Sequence, residues 1–161
     1  MNIFVLDKEA NTSAKMLCDC HLRKMCVETA QILSAVMLRR GIPLRDGMPK
    51  PQNIKHPVIV AIDDPKSFNW VIYYFVCLNT EYCRRFNKLH KYANLQDAYF
   101  NALKASGAGL DCSTLAKCCG DLDVSNMDIV TAYRKYYTEV KKPQLAAKNL
   151  WKFTEREDWT E

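Results

Sequence analysis

An amphipathic stretch with an unusual polar face runs from Cys18 to Leu38. At about 100° per residue, its apolar and polar side chains fall on two neighbouring arcs. The apolar arc is typical of a helix that packs on a hydrophobic core. The polar arc is roughly 80° wide and carries four different groups, namely His21, Lys24, Glu28 and Gln31. This row predicts either a solvated face with a Lys24–Glu28 pair or the wall of a functional site.

Helical periodicity continues through most of the chain, and runs of β-branched residues are scarce. Residues 11–13 are all suitable N-cap residues. The first helix is predicted to begin after them and to end near Leu38. Residues 2–6 predict a small strand or an extended arm. Four more helices are predicted at about Lys66–Tyr92, Asn94–Ala105, Met127–Val140 and Gln144–Arg156. We therefore expect an all-α fold, with residues 1–161 forming a single compact helical domain of about five helices and a short extended N-terminal arm.

Composition favours one globular domain. The chain has 161 residues, of which 48% are hydrophobic and 25% charged, and this is enough to bury a core. No signal peptide and no apolar run of transmembrane length is visible, so we expect a cytoplasmic location without a membrane partner. The net charge of +5 is concentrated in residues 1–110. This excess is compatible with a phosphate-rich partner.

The chain contains eight cysteines. Cys18, Cys20 and His21, with Cys26 nearby, could suggest a metal site. Cys18 and Cys20 point about 200° apart on the predicted helix, so they cannot bind one ion together. We therefore expect most cysteines to be buried hydrophobes, with no metal and no cofactor. Zinc binding through cysteines and His21 is the weaker alternative.

A second arc of charges, Glu81, Arg85 and Lys88, lies on the second predicted long helix, with His90 near the helix end. It predicts either a solvated helix end or the opposite wall of a cleft that faces the first helix. His56 closes a basic connector, residues 41–57, which is either a surface turn or a loop that leans over the first helix.

The C-terminal part of the chain mixes tyrosines with basic residues. Tyr133, Arg134 and Tyr137 could stack on bases and pair with phosphates. The same tyrosine spacing fits a helix that fills a core equally well. No Gly-rich phosphate loop, nucleophile elbow or His-Glu-x-x-His motif is present, which excludes nucleoside triphosphatases, α/β-hydrolases and zincins.

The segment Cys-Asp-Cys-His-Leu at 18–22, followed by Glu28, resembles the first helix of the small phage pyrimidine-dimer DNA glycosylases of the endonuclease V type. The shared features are an Asp-x-His-Leu motif and a glutamate seven residues after the histidine. The Tyr-rich segment 133–137 is similar to the family's aromatic and basic tail. The overlap covers about 20 residues near the N-terminus and a few near the C-terminus, and the chain also resembles uncharacterised small phage proteins.

The resemblance implies a DNA glycosylase and abasic-site lyase that acts on damaged or modified pyrimidines in double-stranded DNA. In this family an N-terminal α-amine attacks the deoxyribose C1′ and forms a Schiff base, and Glu28 would stabilise the sugar cation and assist strand cleavage. Asn2 is too large for routine removal of Met1, so the amine would be that of Met1. His21 and Lys24 would support Glu28. A viral DNA-repair protein of this kind would work in the host cytoplasm.

The residues expected to contact DNA are polar or aromatic and are distributed over the whole chain: Gln31, His56, Arg85, Lys88, His90, Tyr133, Arg134 and Tyr137. Val27 and Gln31 stand where the resembled family has arginines. These departures also fit the alternative hypothesis, a non-catalytic helical module of viral origin that binds DNA or protein.

Overall fold

The computed structural model describes residues 2–104 and 107–145, and within these ranges it contains helices and no strand. This confirms the predicted all-α fold. The expectation of a single domain over residues 1–161 stays a prediction, and the fifth predicted helix lies mostly outside the described residues. The helices are α1 (Ala10–Lys15), α2 (Asp19–Arg39), α3 (Pro57–Ala61), α4 (Pro65–Phe86), α5 (Gln96–Leu103), α6 (Ile129–Tyr136) and α7 (Lys142–Leu145), with a 3₁₀ turn at Ala93–Leu95 and a π-helical turn at Tyr137–Lys141. Among these helices, none is both long enough and apolar enough to cross a membrane.

The N-terminal segment is an extended arm that is buried in the core. Residues 3–6 are at most 2% exposed. Since no strand among the described residues pairs with the arm, side chains form hydrogen bonds with its backbone groups. The amide of Leu6 donates to Ser13 Oγ at 3.0 Å, and the carbonyl of Phe4 accepts from the Tyr74 hydroxyl at 3.0 Å. The arm is thereby fixed between α1 and α4.

The predicted first helix is interrupted, and α2 begins only at Asp19. Cys18 is the N-cap of α2 with an extended backbone (φ −66°, ψ 161°). The interruption leaves backbone groups without helical partners, and side chains from distant parts of the chain bond them. The Cys18 amide donates to the Tyr137 hydroxyl at 2.9 Å. Arg85 donates to the carbonyls of Leu17 and Lys15, each at 2.6 Å. Cys18 therefore lies outside the helix on which the sequence analysis placed it.

Helix α4 packs against α1 and α2 and is shorter than predicted. It begins after Asp64, whose carboxylate accepts from the Ser67 amide at 2.8 Å, with Pro65 in the first turn. It ends at Phe86, because Asn87 adopts a left-handed conformation with φ 49°. Asparagine tolerates this conformation better than most residues do, so the helix stops six residues before the predicted end.

Two of the charged residues predicted on α4 are buried in an ion-pair cluster. The Arg85 side chain is 0% exposed and contacts Glu81 at 2.6 Å and Asp19 at 3.2 Å. Glu81 also pairs with Arg84 at 2.8 Å. The interpretation of Glu81 and Arg85 as a solvated helix end is therefore wrong. The guanidinium of Arg85 is unavailable to a DNA phosphate, because its donors are used inside the protein.

Helix α6 closes the fold by placing tyrosines on the arm. Asp128 caps the helix, and its carboxylate accepts from the amides of residues 130 and 131. Tyr133 and Tyr137 are each 1% exposed, and their rings lie 6.1 and 5.6 Å from the ring of Phe4. Of the two interpretations of these tyrosines, the core interpretation agrees with their burial. Neither ring presents a face on which a base could stack.

Candidate active site

The start of the arm lies directly on the carboxylate of Glu28. The backbone nitrogen of Asn2 donates to Glu28 Oε2 at 2.6 Å, although the two residues are 26 positions apart in the sequence. The Glu28 side chain is 13% exposed, so the carboxylate is shielded but can still be reached from solvent. The N-terminal end of the chain and the predicted catalytic glutamate therefore form one site.

The side chain of Asn2 is held by three hydrogen bonds. Its Oδ1 accepts from the Tyr133 hydroxyl and from the Ile3 amide, each at 2.8 Å. Its Nδ2 donates to the carbonyl of Cys118 at 2.8 Å. The Tyr133 hydroxyl in turn accepts from the Cys118 amide at 3.1 Å. Helix α6 and the loop before it thus fix the arm so that the nitrogen of residue 2 meets Glu28.

Lys24 contacts the same carboxylate, and His56 is influenced by its charge. Lys24 Nζ is 3.3 Å from Glu28 Oε1, and the lysine side chain is 57% exposed. His56 caps α3 by accepting from the Val58 amide at 3.3 Å. Burial lowers the pKa of His56, and the negative charge of Glu28 opposes that shift. The effect of the Glu28 charge on the pKa of His56 agrees with the interpretation of residues 41–57 as a loop that leans over the first long helix.

His21 shares the polar arc of α2 with Glu28 but lies under the arm. It is 7% exposed, its Nδ1 is 2.9 Å from the Tyr137 hydroxyl, and its ring lies 5.0 Å from that of Phe4. Because His21 and Glu28 are two helical turns apart, the rise between them is about 10 Å. This position suits a residue that supports the arm.

A family model described as pyrimidine dimer DNA glycosylase matches residues 1–94. This range is more than half of the chain and contains the arm, Glu28 and His56. The chain belongs to the pyrimidine dimer DNA glycosylase family. Membership assigns it to DNA repair, with a glycosylase function and DNA as its partner. No match was found among curated protein sequences or among solved structures.

The other residues that were predicted to bind DNA in this glycosylase are in varied environments. Gln31 is partly exposed on α2, about one turn beyond Glu28. Lys88 is exposed, and His90 packs edge-on against Tyr82 at 5.0 Å. Arg134, 41% exposed, donates to the Leu6 carbonyl at 2.7 Å and to Asp7 at 3.0 Å. The structure brings Lys24 into contact with Glu28, and the charge of Glu28 acts on the pKa of His56, whereas the described contacts of Lys88, His90 and Arg134 lie elsewhere.

Two residues of the candidate site, Asn2 and Cys118, were not predicted as site residues from the sequence. Asn2 was treated only as an obstacle to Met removal, and nothing in the periodicity points to Cys118. Met1, predicted to supply the amine, lies outside the described residues. Only the resemblance to the glycosylase family, in which the N-terminal amine is the nucleophile, could have drawn attention to residue 2.

A pair of thiols lies at the start of α2, near His21. The Sγ atoms of Cys18 and Cys20 are 3.5 Å apart. The hydrogen bond from Cys20 lowers the pKa of the Cys18 thiol to about 4, together with a hydrogen bond to His21 and the charge of His21, while burial acts in the opposite direction. By contrast, burial raises the pKa of Cys26 to about 12. Cys18, at the start of α2, and Cys26, within the helix, thus differ sharply in their chemistry.

Proposed function

We propose that this protein removes damaged or modified pyrimidines from double-stranded DNA and then cleaves the abasic strand, with Glu28 at the centre of the site. The observation that supports this most is the 2.6 Å contact between the Asn2 nitrogen and Glu28 Oε2. In the mechanism implied by the resemblance, an amine at the start of the chain must reach the sugar next to this carboxylate. The contact at Asn2 supports the proposal, because it brings the start of the described arm to this carboxylate.

The proposed chemistry begins when the amine attacks C1′ of the damaged nucleotide. A C–N bond forms, the glycosidic bond breaks, and the base leaves with the bonding electrons and takes a proton from water. The Glu28 carboxylate stabilises the positive charge that develops on the sugar and then accepts a proton from the attached nitrogen. This proton passes to the ring oxygen as the sugar ring opens to a Schiff base. The regenerated carboxylate accepts a C2′ proton, and the C3′–O bond breaks with its electrons leaving on the phosphate. Proton transfer by a positioned carboxylate typically contributes about 10²- to 10⁴-fold in rate.

Two amines are candidates for the nucleophile, and we favour the one at the start of the arm. Lys24 Nζ also contacts Glu28, at 3.3 Å, but its side chain is more than half exposed. Lysine nucleophiles are activated by removal from water or by a neighbouring cation, and an exposed side chain gains little of the first effect. Lys24 is better suited to hold a phosphate beside the flipped nucleotide.

Lyase activity, action on double-stranded DNA and a viral origin belong to the same proposal and are supported by the resemblance to phage enzymes. A phage origin would place the protein in the host cytoplasm, where its DNA is replicated and repaired. The alternative hypothesis, a non-catalytic helical binding module, is distinguished from the enzyme by the experiment that follows.

The direct test is borohydride trapping of the protein, with its native N-terminus, on duplexes that carry an abasic site or a thymine dimer. We expect a covalent adduct, and peptide mapping should place it on the N-terminal peptide and not on Lys24. An adduct on Lys24 would contradict the choice of amine. DNA binding without adduct or cleavage would favour the non-catalytic module.

The same assay tests Glu28. We expect Glu28→Gln to lower cleavage at least about 100-fold while the helical content and the DNA affinity stay close to those of the wild type. Glu139→Gln is the control, since Glu139 is exposed in the C-terminal turn. Cleavage by Glu28→Gln at the wild-type rate would remove Glu28 from the mechanism.

A further inference from the structure

Three metal-ligating side chains meet at the start of α2, apart from the carboxylate of Glu28. The ligand atoms of Cys18, Cys20 and His21 all lie within 4.8 Å of one another. The two sulfur atoms are 3.5 Å apart. The sequence analysis had placed these thiols on opposite sides of a helix. They meet because Cys18 is the extended N-cap and not a helical residue.

The spacing of the two sulfur atoms fits a tetrahedral zinc ion. With Zn–S bonds of about 2.3 Å, tetrahedral angles place two sulfurs about 3.8 Å apart. The observed separation of the sulfurs differs from this by a few tenths of an ångström. We propose that Cys18, Cys20 and His21 form a zinc site, with the fourth position open to a water molecule.

The surroundings of the site hold two of the ligands in place. Cys18 is 0% exposed, and its amide donates to the Tyr137 hydroxyl at 2.9 Å. The same hydroxyl lies 2.9 Å from Nδ1 of His21. Metal-binding histidines usually bond an oxygen with the ring nitrogen that does not touch the metal. Tyr137 supplies such an oxygen to the His21 ring.

Cys20 gives the ion a route into the site. It is partly exposed, whereas the other two ligands are buried, so the ion can enter from the solvent side without opening the core. Thiolate and imidazole together are the donors that zinc prefers over magnesium or calcium. The donor set therefore selects a thiophilic cation.

The zinc ion would act on the structure and not on the sugar. It would join the start of α2 to Tyr137 and hold His21 against Phe4, whose ring is 5.0 Å away. Phe4 belongs to the arm that presents Asn2 to Glu28. Since His21 lies about 10 Å along α2 from Glu28, zinc binding and DNA cleavage can be measured separately.

The test uses tag-free protein, reduced and stripped of metal, loaded with zinc and freed of excess by gel filtration. Metal content measured by mass spectrometry should be one zinc per chain. Cys20→Ser should bind zinc at least tenfold more weakly in competition with a chromogenic chelator. Cys83→Ser is the matched control, because Cys83 is also a half-buried cysteine on a long helix and should retain one zinc. Wild-type protein with less than about 0.1 zinc per chain, or equal affinity in Cys20→Ser, would overturn the site.

A second measurement needs no variant. Titration of the reduced wild-type protein with Co²⁺ should give the thiolate-to-cobalt absorption in the near ultraviolet and the strong visible bands of tetrahedral cobalt, with saturation at one equivalent. Zinc should displace the cobalt and raise the melting temperature. Weak octahedral bands without thiolate absorption would exclude the proposed ligands.

Discussion

The hydroxyl of Tyr133 donates a 2.8 Å hydrogen bond to Oδ1 of Asn2, across 131 residues of sequence. The backbone nitrogen of Asn2 contacts Glu28 at 2.6 Å. Tyr133 therefore determines where the start of the chain lies relative to the proposed catalytic carboxylate. A helix near the end of the described chain thus positions an arm and a carboxylate that both belong to the N-terminal half.

The first prediction concerns this hydroxyl. Tyr133→Phe removes the donor to Asn2 and leaves the Cys118 amide without its acceptor, so we expect a loss of about 1–2 kcal/mol in the free energy of unfolding. Because the arm loses its anchor, kcat for strand cleavage should fall more than DNA affinity does. Single-turnover kinetics and anisotropy titrations measure the two effects separately.

Tyr136→Phe is the control for that variant, since the Tyr136 ring packs on Phe4 at 6.3 Å from the neighbouring turn of the same helix. It should cleave at nearly the wild-type rate. Equal losses of activity in the two variants would mean that the hydrogen bond to Asn2 does not position the arm.

The second prediction compares two adjacent arginines that both pair with Glu81. Arg85 is buried at 0% exposure, and Arg84 is 61% exposed. Arg85→Met leaves the charges of Glu81 and Asp19 poorly compensated in the core, so it should cost about 3–5 kcal/mol of unfolding free energy. Arg84→Met should cost about 1 kcal/mol or less. Urea unfolding followed by circular dichroism gives both values.

If Arg85 instead served to hold a phosphate, its loss would weaken DNA binding and leave stability nearly unchanged. The buried contacts with the carbonyls of Leu17 and Lys15 favour the large loss of stability.

The third prediction is a dependence of stability on acid pH. Burial alone would raise the pKa of the Glu81 carboxyl, but hydrogen bonds from Arg84 and Arg85 and their charges hold it below its ordinary value of 4.5. When folding lowers the pKa of a carboxyl, that carboxyl stabilises the fold at pH values above its pKa in the unfolded chain. This stabilisation is lost as the pH falls through the pKa that the carboxyl has in the folded protein. The free energy of unfolding should therefore decrease below about pH 4.5.

Replacement of this carboxyl tests the assignment. Glu81→Gln should be less stable than the wild type at neutral pH and should lose less stability on acidification. Glu139→Gln, which changes an exposed carboxyl, should keep the wild-type slope. Identical slopes in wild type and Glu81→Gln, measured by urea unfolding across the acid range, would mean that other carboxyls cause the acid sensitivity.

The sequence was sufficient for the fold class and for part of the site. Amphipathic periodicity predicted both long helices, and the i, i+4 spacing of Lys24 and Glu28 predicted their contact. Periodicity failed where distant groups decide the local structure. The residues between α1 and α2 have ordinary helical propensities, and the helix is interrupted there because Arg85 and Tyr137 bond the released backbone groups.

Sequence patterns also did not predict which polar side chains are buried. Glu81 and Arg85 have the spacing of a solvated pair, and only the packing of α4 on α1 and α2 encloses them. The contact between Asn2 and Tyr133 depends on the path of the whole chain. The direction of the Cys18 thiol was predicted wrongly for a similar reason. Helix α2 begins one residue after Cys18, and this changes the direction in which the Cys18 side chain points.

The last prediction separates two neighbouring cations on α2. Lys24 lies beside Glu28 at the exposed edge of the proposed site, whereas the guanidinium of Arg23 lies 4.4 Å above the ring of Phe86 on another side of the helix. If Lys24 contacts a DNA phosphate, Lys24→Gln should weaken binding several-fold at low salt. It should also reduce the slope of log K against log salt concentration by about 0.9.

Arg23→Gln is the matched control and should leave that slope unchanged, since it removes the same charge from a position away from Glu28. Lys24→Arg should keep the slope because it keeps the charge. Anisotropy titrations of a duplex with an abasic site, repeated over a range of NaCl concentrations, give all four slopes. A reduced slope in Arg23→Gln and not in Lys24→Gln would place the DNA on the Phe86 side of α2, and the proposed interface beside Glu28 would then be incorrect.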